Sequence, residues 1–66
     1  MLSPAELAVT MHLRMGLSNK EIAAALGKSP ATVKAQVASV LRKLEVPTRG
    51  RLIAWLHVHA SGGFLS

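Results

Sequence analysis

Lys34, Ala35 and Ala38 stand at i, i+1 and i+4, so a helix places them on one face. A lysine ammonium can donate to guanine O6 or N7, and an alanine methyl can touch the methyl of thymine. Around them lie Ser18, Asn19, Lys20, Lys28, Ser29, Thr32, Gln36, Ser39, Arg42 and Lys43. Ammonium, guanidinium, hydroxyl and amide groups are the side chains that hold phosphate. No acid interrupts Pro30 to Leu44, although a solvated helix face normally mixes signs. The chemistry implied is recognition of a polyanion, with Lys34, Ala35 and Ala38 as base readers and the rest as phosphate contacts.

Four helices must position these groups. Ser3-Pro4-Ala5-Glu6 is a capping box with a first-turn proline, and the helix it opens is expected over 4–15, closed by Gly16. On it Leu7, Thr10, Leu13 and Arg14 share one face, and Ala8, Met11 and Met15 form a neighbouring stripe. Ser18-Asn19-Lys20-Glu21 is a second capping box, opening a helix over 19–26 that turns Ile22, Ala23 and Leu26 inward and stops at Gly27. Ser29-Pro30 opens a third, over 30–44, whose core face is Val33, Val37, Val40, Leu41 and Leu44. Pro47 breaks the chain, and Thr48 is expected to cap a fourth helix over 49–60. A tail, 61–66, follows, in which Phe64 either frays or folds back. A short helix, a glycine turn and a longer basic helix make a helix-turn-helix, and the fold class is all-α, a small four-helix single domain over 1–66 with no wing.

Bulk composition agrees. The chain has 66 residues, eight Lys/Arg against three acids (Glu6, Glu21, Glu45), and a net charge of +5. That balance suits nucleic acid, an anionic membrane or an acidic protein. No apolar run approaches a membrane span, and no basic stretch leads into an apolar one at the N-terminus, so a cytoplasmic protein without a signal peptide is expected. Without cysteine there are no disulfides or thiolate metal sites. The three glutamates fall on different elements, which disfavours an enzyme. His57 and His59 diverge on a helix, so no metal site is expected, and no cofactor.

Leu2-Ser3-Pro4, Glu6-Leu7, the run Gly16-Leu17-Ser18-Asn19-Lys20-Glu21-Ile22-Ala23, Leu26-Gly27, Thr32-Val33-Lys34 and Leu41-Arg42-Lys43-Leu44 resemble the LuxR-type (GerE-like) DNA-binding domain, from Leu2 to about Leu56. The resemblance implies a bacterial transcription regulator whose third helix enters the major groove of double-stranded DNA. It implies dimerisation through the fourth helix on two half-sites; that helix is apolar over two overlapping stripes, so Leu52, Trp55, Leu56 and His59 are taken as the twofold face, the alternative being that a small domain packs them all internally. It also implies an N-terminal receiver or ligand-binding domain in a longer regulator; such a domain is not in this sequence, which is read as a stand-alone member or an output domain.

The sequence departs from the family pattern in places. Ala38 stands where members often carry a longer polar residue, which points to relaxed specificity, a short recognised core or reading of DNA shape. Thr10 replaces a large apolar residue, Arg14 an alanine, and Met11 and Met15 polar residues. The Met pair either binds a second protein or fills the core of a slightly rotated helix. Glu45 replaces a frequent glycine and is expected to hold a left-handed conformation at ~1 kcal/mol.

Five or so neutralised phosphates predict a log K versus log salt slope of about −4 to −5. Ser18 and Ser29 serve equally as plain caps, and Arg49 and Arg51, beyond the third helix, are read as solvated charges. The composition also admits two other readings. One is a small interaction module that pairs with another regulator and modulates its DNA binding. The other, a basic amphipathic peptide on membranes, sits poorly with three capped helix starts.

Overall fold

A computed structural model of the chain describes residues 1–60. The described residues form α1 (Pro4–Arg14), α2 (Asn19–Leu26), α3 (Pro30–Leu44) and α4 (Arg49–Ala60), and no strand. The expected tail, 61–66, including Phe64, lies outside the described residues. No helix among them is long and apolar enough to cross a membrane.

Each helix begins where a side chain can replace the missing turn. Ser3 and Ser18 accept from the N–H of Glu6 and Glu21, and the two glutamates accept in return from the serine N–H groups, each at 2.8 Å. Ser29 accepts from the Thr32 N–H at 3.1 Å, and Thr48 from that of Arg51 at 3.1 Å. The ends are closed by left-handed residues. After α1 the Gly16 N–H meets Leu13 O (2.9 Å) and the Leu17 N–H meets His12 O (3.3 Å), with Gly16 at φ +84°. This closure ends α1 at Arg14, one residue before the expected Met15. Gly27 (φ 67°) closes α2. Glu45, at φ 56° and ψ 43°, closes α3 in the conformation expected of it.

The core is Val9 and Leu13 from α1, Ile22 and Ala23 from α2, Val33, Val37 and Val40 from α3, and Leu52 and Leu56 from α4. α1 and α2 both lie on α3, and α4 packs against α1 and α3. Two elements depart from the pattern expected of them. On α1 the buried set is Glu6, Val9, Thr10 and Leu13, not Leu7 and Arg14 with Thr10 and Leu13. Leu7 lies at the margin, Arg14 is exposed, and Met11 and Met15 are 52% and 71% exposed, so the Met pair does not fill the core. Thr10 tolerates burial because its hydroxyl donates to Glu6 O at 2.7 Å, leaving its methyl for the interior. On α4, Leu52 and Leu56 are fully buried in their own domain. They therefore cannot form the dimer face expected of them, because a three-helix core this small needs both to close it.

Candidate nucleic-acid interface

α3 turns its valines inward, and this leaves Thr32, Lys34, Ala35, Ala38 and Arg42 on its exposed side. The Lys34 ammonium has no hydrogen-bond or ionic partner among the described residues. Lys34, Ala35 and Ala38 are all exposed on this side of the helix.

The turn before α3 adds a second cation. Lys28 Nζ donates to Gln36 Oε1, eight residues on, at 3.0 Å. The bond takes the amide oxygen and leaves the Gln36 NH2 group as the remaining donor. Ser29 Oγ is engaged as a cap with the Thr32 N–H, and it lies 3.0 Å from the Thr32 hydroxyl. Pro30 has no N–H, and the Val33 N–H bonds Ser29 O, so Ala31 supplies the unfilled backbone donor at this helix start. At the start of α2, Ser18 is likewise used as a cap, and Asn19 and Lys20 carry the unfilled backbone donors. Lys20 is exposed.

Three further predicted phosphate contacts, Ser39, Lys43 and Asn19, are tied to other helices. Ser39 Oγ donates to Glu6 Oε2 at 2.5 Å, and Lys43 Nζ donates to Glu6 Oε1 at 2.8 Å. Glu6 also accepts from the Ser3 N–H, so one carboxylate ties the start of α1 to the C-terminal half of α3. Lys43, the Ser3 N–H and the Ser39 hydroxyl hold the Glu6 carboxyl well below its ordinary value of 4.5, at about 2. Asn19 Oδ1 accepts from Arg49 Nη1, while Arg49 Nη2 donates to Leu17 O at 2.8 Å. Arg49 is thus half-buried and tied down, contrary to the solvated charge expected of it; Arg51 is exposed.

Sequence reasoning did not give Glu6 or Arg49 these roles. Glu6 was visible only as half of a capping box. The signal for more was the near absence of acids, which leaves any buried carboxylate a choice of cations. Glu21 is also held below its ordinary pKa, first by the Ser18 N–H and then by the Ser18 hydroxyl. Two of the three acids, Glu6 and Glu21, therefore bond elements of the fold.

Of the four α4 residues expected at a twofold interface, Trp55 and His59 remain accessible at least in part. Their rings lie 4.2 Å apart, tilted by 31°. Beside them a shallow groove of about 310 Å³ runs between the α3–α4 turn and α4, lined by Val46, Pro47 and Ala54 among others. His57 is exposed, and no cluster of three metal-ligating side chains occurs among the described residues.

Comparison with known proteins places this geometry. Residues 1–56 match the family described as bacterial regulatory proteins, luxR family. The chain is 48% identical over 48 residues to the nitrate/nitrite response regulator protein NarP of Escherichia coli strain K12, covering 73% of this chain and 22% of that protein. It is 46% identical over 48 residues to a nitrate/nitrite response regulator protein homolog of Haemophilus influenzae, covering 73% and 23%. The chain thus matches less than a quarter of the length of either relative. No solved structure matches it.

Proposed function

Because the chain belongs to the luxR family of bacterial regulatory proteins, we propose that it binds double-stranded DNA with α3 in the major groove and serves as the output domain of a transcription regulator. The observation that carries this is the outer side of α3, where an unpaired Lys34 shares the exposed face with Ala35 and Ala38 and the helix carries no acid. Lys34 donates to a guanine edge, and the two alanines contact thymine methyl groups. Lys20, Lys28 and Arg42 grip phosphates, aided by Thr32, the Gln36 NH2 group, the Asn19 NH2 group and the backbone N–H groups at the starts of α2 and α3, where Ser18 and Ser29 act as caps. Ser39 and Lys43 act one step back, by holding α1 to α3. One bidentate-capable reader per domain is little, so specificity comes from two copies on two half-sites. A twofold pairing through α4 uses its Trp55 and His59 side. In a longer regulator, an N-terminal domain would control access to α3, as the relatives' description as response regulators suggests.

Fluorescence anisotropy with duplex DNA at two salt concentrations tests this, with Lys34→Ala alongside. Loss confined to the best sequence marks Lys34 as a base reader, and uniform loss marks a phosphate contact. A flat salt response would sink the DNA reading.

The exposed Leu7, Met11 and Met15 favour a second reading, a module that pairs with another regulator through α1. The double variant Met11→Glu with Met15→Glu separates the two. Intact helicity and intact DNA binding exclude α1 as a required contact, whereas lost association with an intact fold supports the interaction module.

A further inference from the structure

We propose that Arg49 is a positioning residue for DNA binding, acting by fixing which end of the Asn19 amide faces the nucleic acid. The inference rests on the DNA-binding reading above. An asparagine amide offers an acceptor oxygen on one side and two donor hydrogens on the other, and the two ends are nearly equal in shape. Only the donor end suits a phosphate. The Arg49 guanidinium has donors and no acceptor, so the amide can meet it only through its oxygen. Arg49 Nη1 makes that bond to Asn19 Oδ1. Its other nitrogen, Nη2, is anchored on Leu17 O at 2.8 Å, so the guanidinium cannot swing away with the amide. With its oxygen taken, the half-buried Asn19 keeps its NH2 group as the end left for a ligand, next in sequence to exposed Lys20.

The arrangement joins residues 30 and 32 positions apart. Arg49 is the first residue of α4, and Asn19 the first of α2. The position of α4 therefore sets the donor pattern of the helix-turn-helix. Lys28 and Gln36 repeat the device within the motif, where a cation takes the amide oxygen and leaves the NH2 group as the remaining donor.

Without Arg49 the amide samples both orientations and several rotamers, and binding must select one. Ordering a side chain of this kind weakens binding by about 3- to 10-fold. The test is a double-mutant cycle on one duplex at fixed salt, using Arg49→Ala, Asn19→Ala and the double variant. The expected result is a 3- to 10-fold loss for Arg49→Ala alone and less than about 2-fold further loss when it is added to Asn19→Ala. Arg49→Lys, which keeps a donor for Oδ1, should recover most of the affinity. Losses that multiply independently would overturn the inference. So would a fall in the salt slope of about 0.9 for Arg49→Ala, which is the mark of a direct phosphate contact.

Asn19→Asp keeps the test decisive where Arg49→Ala does not fold. The aspartate still accepts from Arg49, so melting temperature is unchanged or raised, but the NH2 donors are gone. Affinity should fall at least 10-fold, and wild-type affinity in this variant would refute the inference. If the unaltered chain binds no duplex at all, the DNA reading and this inference fall together. Binding by the unaltered chain with an additive cycle removes the inference alone.

Discussion

Arg42 and Lys43 are adjacent and equally basic, yet the structure assigns them different work. Arg42 is exposed on α3, and its guanidinium reaches only the neutral Ser39 hydroxyl, at 3.5 Å. Lys43 is paired with the Glu6 carboxylate at 2.8 Å. Replacing either by alanine lowers the net charge from +5 to +4, so the long-range field changes equally in the two variants. Their local effects should differ. Lys20, Lys28, Lys34 and Arg42 are the cations of the helix-turn-helix with no carboxylate partner among the described residues. With Lys34 on a base edge, Lys20, Lys28 and Arg42 are left for phosphates, and at about 0.9 per displaced counterion they give a slope of about −2.7, shallower than the −4 to −5 expected for five or so neutralised phosphates.

Between about 50 and about 200 mM salt that slope is a loss of roughly 40-fold in affinity. Arg42→Ala should reduce the slope to about −1.8 and the loss to roughly 12-fold, with little change in melting temperature. Lys43→Ala should leave the slope within about 0.3 of the unaltered chain while lowering the melting temperature, because Glu6 loses its cation. Anisotropy titrations at four salt concentrations, with thermal denaturation followed by circular dichroism, measure both. A Lys43→Ala protein of unchanged stability whose slope falls by about 0.9 would refute the assignment of Lys43 to Glu6.

Three further outcomes follow from the packing and the electrostatics. Leu52→Ala or Leu56→Ala should cost about 2–5 kcal/mol in urea denaturation, because each leaves a cavity in a fully buried site; His59→Ala should leave stability nearly unchanged. Glu6 has its pKa lowered from 4.5 to about 2, so the stability it contributes is present above pH 4.5 and is lost as pH falls from there towards 2. Melting temperature should therefore drop over that window, and Glu6→Gln should flatten the drop while freeing Lys43. Glu45→Gly should stabilise by up to ~1 kcal/mol, since the left-handed conformation at φ 56° costs a residue with a Cβ about that much; chemical denaturation reads it.

Much of the candidate interface was legible because its placement depends on local rules. Capping boxes, first-turn prolines and glycine stops located α2 and α3 to the residue, and helical spacing placed Lys34, Ala35 and Ala38 together. Periodicity also identified the valine face of α3. It failed on α1 for a specific reason. A scan for apolar stripes cannot choose Glu6 and Thr10 as buried, since each is acceptable there only through a partner, Lys43 for one and the Glu6 carbonyl for the other. α4 was ambiguous for the opposite reason. It is apolar over more than one stripe, and spacing alone does not say which stripe closes the core.

The sequence by itself thus determined the number of helices in the described residues, the limits of α2 and α3, the helix-turn-helix, the basic face of α3 and the left-handed turn at Glu45. Each follows from backbone hydrogen bonding and sterics within a few residues. Only the tertiary structure decided which cations are free. Lys43 and Ser39 meet Glu6, Arg49 meets Asn19, and Leu52 and Leu56 enter the interior, all across more than a dozen residues of chain. The physical reason is that a charge or an apolar side chain has no fixed role of its own. Its role is set by what the fold brings within about 3–4 Å of it, and that proximity is absent from any local window of the chain.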